Sequence, residues 1–304
     1  MNTQITHQEP LPEHFHPDAI LAFYQRDTQQ LAERVEAGKL HKGLFWRGMP
    51  SSISIEFKHP LATAQLQLDG EIAPQDAHHL KQLTRHLLGL NQPIAAFEQA
   101  HHAHPELGAL IARQTGLRVP VTPTPFEALS SAIIGQQISL NAAVTVRREF
   151  IKIAGIPHSS GLWCAPDAAH IAGCTPAMLQ KAGLSRNKAN ALIGASQAIM
   201  HGDLTLFTGA DTPLTPKKID DIRHQLLAIK GIGPWTVNYT LLRGFGWLDG
   251  SLHGDAGVRR SLQTLLGREE PITPAETECW LAEFSPWRAL VAAHLWAALG
   301  NPPN

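Results

Sequence analysis

The hydrophobic period of this chain changes once, and that change limits the folds open to it. Ile53-Ser54-Ile55-Glu56-Phe57 alternates apolar and polar residues. So does Ala64-Gln65-Leu66-Gln67-Leu68, which runs into the turn dipeptide Asp69-Gly70. A period of two puts one face of each segment on a core and the other in water, as in a half-buried antiparallel sheet. From about residue 105 onward the alternation does not recur, and the apolar residues fall at helical spacing. The chain therefore reads as a small α+β domain over residues 1–112 followed by an all-helical region over residues 113–304. The helical region divides into a lobe of residues 125–248 and a lobe of 113–124 with 249–304, facing each other across a cleft.

Helix punctuation supports that division. Residues 17–37 read as a helix closed by Gly38, and residues 75–90 as another, with Leu80, Leu83, Leu87 and Leu90 on one face. The first twelve residues, broken by Pro10 and Pro12, read as disordered. Thr124-Pro125-Phe126-Glu127 and Thr273-Pro274-Ala275-Glu276 are capping boxes with proline at the first helical position. Thr215-Pro216 and Ser285-Pro286 open two further helices, the last stopping at Gly300.

Composition excludes several classes. The formal charge is −1, with −4 over residues 1–112 and +3 over residues 113–304. The chain is thus neither a highly basic nucleic-acid packager nor an acidic tail, and its second half suits an anionic partner better than its first. No apolar run approaches the roughly 18 residues of a membrane span, and no apolar signal core follows Met1, so a cytoplasmic protein is expected. Cys164, Cys174 and Cys279 are odd in number and lack a Cys-x-x-Cys pair, which argues against a disulfide framework or an iron–sulfur cluster. His78, His79, His101, His102 and His104 lack the neighbouring ligands that would complete a metal site.

The most informative stretch runs from Leu226 to Thr236: Leu-Leu-Ala-Ile-Lys-Gly-Ile-Gly-Pro-Trp-Thr. Gly231 and Gly233 permit a backbone hairpin that larger residues would strain. Ile229 and Ile232 fill the seam between two helices, and Pro234 suits the first position of the second. Free backbone N–H groups at that helix start, aided by its dipole, make a site for a phosphate oxygen. An ordinary turn between two helices is the alternative reading. Twenty residues beyond Trp235 lies Asp255, placed as a helix N-cap before Val258, Leu262 and Leu265. A carboxylate there is favoured as the anion and is available to stabilise a cationic sugar or activate a water.

A glycine hairpin, Gly-Pro and an aspartate at this distance resemble the helix-hairpin-helix–Gly/Pro–Asp superfamily of DNA glycosylases, and within it the bacterial DNA-3-methyladenine glycosylase II type. The likeness extends to Gly135-Gln136-Gln137-Ile138-Ser139, to Trp235-Thr236-Val237-Asn238-Tyr239, to Trp287-Arg288 and to His294-Leu295-Trp296, covering roughly residues 17–300. The resemblance implies a monofunctional base-excision enzyme that flips out alkylated bases such as 3-methyladenine and releases them. Asp255 matches the essential aspartate. Trp235 stands where strand-cutting relatives carry a lysine, and Trp296 matches a base-pocket aromatic. Gln136 and Gln137 match the loop that fills the gap left by the flipped nucleotide, although Gln137 is polar where the family has an apolar residue. Ala297 replaces a pocket aromatic, which predicts a roomier pocket. Lys230, Gly231, Ile232, Gly233 and Thr236 form the DNA grip. The backbone carbonyls of Leu227, Ile229 and Ile232 match a site for a monovalent Na+ or K+ ion, with no other cofactor required. The implied partner is duplex DNA with damaged bases, bound by a monomer associated with the bacterial nucleoid. Two alternatives stand beside this reading: a glycosylase for oxidised or deaminated bases, and a non-catalytic binder of DNA damage.

Overall fold

The computed structural model describes residues 3–206 and 214–300. The first part comprises β1 (Gln4–Pro10), α1 (Asp18–Tyr24), β2 (Glu33–Glu36), β3 (Lys39–Trp46), β4 (Met49–Lys58), β5 (Leu61–Leu68) and α2 (Asp76–Leu87). Its strands form one antiparallel sheet in the order β1-β5-β4-β3-β2. The register places Leu40, Ile55 and Ala64 in one cross-strand row and Lys42, Ile53 and Leu66 in the next. These rows pack on Ile20 and Tyr24 of α1 and on Leu80 and Leu87 of α2. The two strands read from alternation are β4, the central strand of the five, and its neighbour β5.

The expectations that fail here do so for identifiable reasons. The helix expected over 17–37 ends at Tyr24. Beyond it the Asp27 carboxylate accepts hydrogen bonds from the Gln29 and Leu31 amides, at 3.1 and 3.3 Å, and so offers the backbone an alternative to the helix. Gly38 is not a helix stop. With Ala37 it makes the two-residue turn from β2 to β3, both residues at positive φ. Met1 and Asn2 lie outside the described residues; of the rest of the segment expected to be disordered, Gln4–Pro10 form the edge strand β1, paired with β5 along its length. Its one buried residue is Glu9, paired with Arg85, so no apolar alternation advertises the strand. In β3 the inward row reads Leu40, Lys42, Leu44, Trp46, and the buried lysine breaks the pattern.

The second part comprises α3 (Ile94–His101), α4 (Gly108–Arg113), α5 (Pro125–Gly135), α6 (Leu140–Ala154), a short ribbon of β6 (Ile156–Pro157) and β7 (Trp163–Cys164), α7 (Ala168–Ala172), α8 (Pro176–Gln180), α9 (Arg186–His201), α10 (Pro216–Leu227), α11 (Pro234–Phe245), α12 (Ala256–Leu265), α13 (Pro274–Ala282) and α14 (Arg288–Ala298). The two-residue ribbon is the exception to the helix-only expectation; the Trp163 amide docks it on the Leu31 carbonyl at 2.9 Å. The Thr273 box forms in full. At Thr124 only half forms: the hydroxyl caps the Glu127 amide, but the Glu127 carboxylate turns inward to Lys42 and Arg147. Ser285-Pro286 precedes the last helix, which begins at Arg288.

Two helical cores result. One gathers α5 to α10 and part of α11; the other gathers α12 to α14. The expected break at residue 112 does not divide the cores. Ile94, Phe97, Leu107, Leu110 and Ile111 pack with the second helical core, while Leu31 and Ala32 join the first. Among the described residues no helix is long and apolar enough to cross a membrane.

Candidate active site

The hairpin between α10 and α11 is tightly wound. Ile229 N–H donates to Leu226 O and Ile232 N–H to Ile229 O, each at 3.1 Å. Gly231 has φ +96°, and a Cβ there would lie 3.1 Å from that of Ala191. Only glycine takes that conformation without strain. Gly233 differs from the expectation. Its φ is −106°, and an added Cβ would meet nothing within 4 Å. Gly233 is the N-cap of α11 and supplies no side-chain cap, so the Trp235 and Thr236 amides of the first turn are left without intrahelical acceptors. A helix start of this kind, with the exposed Lys230 beside it, suits an anion. Ile232 is buried in the first helical core. Thr236 is buried as well, and its hydroxyl accepts from Gln136, so its side chain does not face an anion at the surface.

The loop after α5 divides its two glutamines. The Gln136 amide donates to Gly231 O and to the Thr236 hydroxyl, both at 2.9 Å, and so ties this loop to the hairpin. Gln136 is therefore a brace rather than a gap-filler. Gln137 is exposed and sits at φ +56°, a left-handed conformation costly for a residue with a Cβ. Ile138 beside it is also exposed. From the other side, Lys188 Nζ donates to Ile134 O at 2.9 Å. Hydrogen bonds at Ile134 and Gln136 thus anchor the chain just before the exposed Gln137.

Asp255 is the N-cap of α12, as its sequence position predicts. Its Oδ1 accepts from the Val258 amide at 3.0 Å. Oδ1 also accepts from Trp296 Nε1 at 3.0 Å, and Oδ2 from Trp235 Nε1 at 3.0 Å. The two tryptophans and the aspartate thus meet, but not as two free ring faces around a base. Trp235 stacks on Tyr239, with centroids 5.2 Å apart, and remains half-exposed. Trp296 is 2 % exposed and stands behind the carboxylate. Neither Trp296 nor Ala297 lines the cleft, so the expectation of a Trp296 stacking face, and of room gained at Ala297, is corrected.

Asp255 and Trp235 both line a cleft of about 1290 Å³, together with Gln136, Gln137, Gly231 and Gly233. Phe23, Arg26, Glu33 and Glu127, which the sequence did not point to, also line it, with Arg147 and with Tyr239 stacked on Trp235. Arg26 lies 4.5 Å from the centre of the Phe23 ring. Arg243 sits deeper, among Phe23, Tyr239 and Trp296; burial lowers its pKa to about 10, so it stays cationic at neutral pH. Lys42, 0 % exposed, contacts Glu33 at 2.7 Å and Glu127 at 2.8 Å. Arg147 contacts the same carboxylates at 2.6 and 2.9 Å. Burial alone would raise the Glu33 pKa; Arg147 and Lys42 override it and bring it down to about 2. The sequence signals for this network were a lysine at an inward strand position and a glutamate at the third position of α5. Each becomes legible once the other's place is known. Of the clustered histidines, His101 packs against Phe97, Phe284 and Trp287 and His104 against Trp280 and Phe284, while His78, His79 and His102 are exposed. Among the described residues no three His, Cys, Asp or Glu side chains are grouped to hold a metal.

Comparison with known proteins adds to this geometry. Residues 130–286 match the family described as HhH-GPD superfamily base excision DNA repair protein, and residues 7–123 match the AlkA N-terminal domain. A DNA-3-methyladenine glycosylase of Bacillus subtilis is 24% identical over 295 residues, covering 95% of each chain. DNA-3-methyladenine glycosylase 2 of Escherichia coli is 27% identical over 263 residues, covering 85% of this chain and 84% of the relative. The structure of a 3-methyladenine DNA-glycosylase from Archaeoglobus fulgidus superposes with a TM-score of 0.77 at 19% identity, covering 95% of this chain and 97% of that one, which shows a shared fold.

Proposed function

The chain belongs to the HhH-GPD superfamily of base excision DNA repair proteins, and from that footing we propose that it is a monofunctional DNA glycosylase that releases alkylated bases such as 3-methyladenine from duplex DNA. One observation carries the reading: an aspartate bound only by neutral N–H donors faces a cleft beside a hairpin of unsatisfied amides. The relatives' names support the choice of alkylated bases.

The geometry suggests an order of events. The α11 amides and Lys230 hold a backbone phosphate without reading sequence. Gln137 enters the stack where the damaged nucleotide leaves it, and the flipped base enters the cleft. The C1′–N bond breaks with its electron pair going to the base. A base alkylated at a ring nitrogen is already cationic and departs neutral, so no general acid is required. The Asp255 carboxylate stabilises the sugar cation, a water oxygen bonds to C1′, and its proton leaves to solvent. Trp235 offers no amine for a Schiff base, so the product is an intact strand with an abasic site. The carbonyls of Leu227, Ile229 and Ile232 would hold a monovalent cation that stiffens the hairpin. Carbonyls at the end of α10 lack intrahelical donors, and the Ile229 carbonyl accepts one hydrogen bond, leaving a lone pair. The enzyme acts as a monomer in the cytoplasm, on nucleoid DNA.

The test is to incubate the full chain with methylated duplex DNA and identify released bases by mass. Release of 3-methyladenine with unbroken strands is the expected result. Strand cleavage would remove the monofunctional assignment, and binding without release would favour a damage binder.

A further inference from the structure

We propose that Trp235 and Trp296 serve this reaction as positioning residues, their indole N–H groups fixing the Asp255 carboxylate so that one lone-pair site, on Oδ2, is left for the sugar or its water. The proposal rests on Asp255 being the catalytic carboxylate.

Three donors from three helices converge on this one group. Trp296 of α14 and the Val258 amide of α12 both reach Oδ1, and Trp235 of α11 reaches Oδ2, all at 3.0 Å. A carboxylate offers about four lone-pair sites, and these donors take three. All three are neutral, so they set the angle of the group without cancelling its charge. Both indoles are themselves held in place. Trp235 lies 29° from the plane of Tyr239, and Trp296 is enclosed by Tyr239 and the Arg243 guanidinium, with centroid distances of 6.5 and 5.7 Å.

Gly257 supplies independent support. It lies in the first turn of α12, where glycine is a poor helix residue. A Cβ there would stand 3.1 Å from Asp255 Oδ1, 3.3 Å from Trp296 Cδ1 and 3.4 Å from Trp296 Nε1. A methyl there would press the Asp255 carboxylate and the Trp296 ring apart by a few tenths of an ångström. Ring stacking on a base would need no such gap behind the ring.

Phenylalanine keeps the ring and removes the donor, so Trp235→Phe and Trp296→Phe separate the two roles. Gly257→Ala crowds the Trp296–Asp255 contact while improving helix propensity. The measurements are single-turnover rate, KM, duplex affinity and thermal midpoint, on one duplex carrying 3-methyladenine and one carrying neutral hypoxanthine. We expect each variant to lose rate by about 10- to 100-fold. The loss should be similar for both bases, because the carboxylate acts on the sugar. KM and affinity should stay within about twofold, and Gly257→Ala should melt no lower than the parent. Wild-type rates in all three variants would overturn the proposal. So would a loss confined to the cationic base or to KM, which would return the rings to stacking. Asp255→Asn is measured in parallel. If it still excises, the reading of Asp255 fails; if it is inactive while the Phe and Ala variants are not, the positioning role alone fails.

Discussion

Two groups of carboxylates face the same cleft, and they are held in opposite ways. Glu33 and Glu127 are cross-linked by Lys42 and Arg147 into a buried cluster of two anions and two cations where the sheet meets α5 and α6. Asp255 receives only neutral N–H donors at a meeting of helix ends. A carboxylate neutralised by a cation has its field cancelled at short range and serves cohesion. One held by N–H groups keeps its charge and can stabilise a cation that develops beside it. Lining a cleft therefore does not make an acid catalytic; the sign of its partners separates the two cases.

The largest expected effect breaks the comparison at Asp255. Asparagine still caps α12 through its one oxygen, but it has no charge, and its NH2 cannot accept from the half-exposed Trp235 N–H. Asp255→Asn should cut the excision rate by about a thousandfold or more while leaving the thermal midpoint and duplex affinity near the parent's. Excision at the parental rate would reduce the residue to a cap. Glu33→Gln should do the reverse. It leaves Lys42 and Arg147 partly uncompensated in a buried place, a defect worth about 3–5 kcal/mol of stability, while the rate per folded molecule changes little. Urea unfolding and a single-turnover assay on the same sample check both halves.

Acid should act through Glu33 of the cluster and through the buried His294. The fold lowers the Glu33 pKa from 4.5 to about 2, so its contribution is present above 4.5 and is lost as pH falls toward 2. Burial lowers His294 from 6.5 to about 3. The fold keeps that imidazole neutral, so stability drains as pH falls from 6.5 toward 3. The stability curve should start to decline below 6.5 and steepen below 4.5. His294→Gln should flatten the first limb and Glu33→Gln the second; a flat curve between pH 6.5 and 3 in the parent would count against both assignments.

The same contrast explains what the sequence could tell. Asp255 was legible because local rules suffice: an N-cap at a fixed distance from a glycine hairpin. The capping threonines at 124, 215 and 273 were legible for the same reason, and all three cap in the structure. The cluster was illegible because it is long-range. Lys42 and Glu127 are 85 residues apart, and each on its own broke a local pattern: the lysine disguised β3, and the glutamate left its capping box. The tryptophans were half legible. Their place beside Asp255 was expected, but which end of the indole faces the carboxylate depends on how α14 packs behind α12, which no local pattern encodes.

The two hairpin glycines carry the comparison to a smaller scale. Gly231→Val forces a branched residue to φ +96° against Ala191, and roughly 1–3 kcal/mol of stability should be lost. Gly233→Val meets open space at φ −106°, so the fold should lose only the small cost of a poorer N-cap, less than at Gly231. Its side chain would instead keep a phosphate away from the α11 amides. Affinity for damaged and undamaged duplex should fall together, with the slope of log affinity against log salt shallower by about one unit. If Gly233→Val binds like the parent, the backbone does not approach DNA there.

Gln137 gives the smallest effect. Paired charges at Lys42 serve the fold; the left-handed glutamine works against it. Gln136 and Lys188 anchor the chain just before this tip, and Ile138 N–H closes the turn on Gly135 O around Gln137 at φ +56°. Glycine at this position removes the steric cost of the Cβ, offset in part by the greater freedom of the unfolded chain. Gln137→Gly should therefore raise stability by up to about 1 kcal/mol in urea unfolding. The side chain that would occupy the vacated stack is lost at the same time, so the single-turnover release of 3-methyladenine should slow although the protein is more stable. Gln137→Leu keeps the bulk and the unfavourable backbone, and should recover the rate without the stability. If glycine stabilises the chain and leaves excision untouched, the exposed tip is only a turn. If it slows excision and lowers stability together, the backbone at this position was not working against the fold.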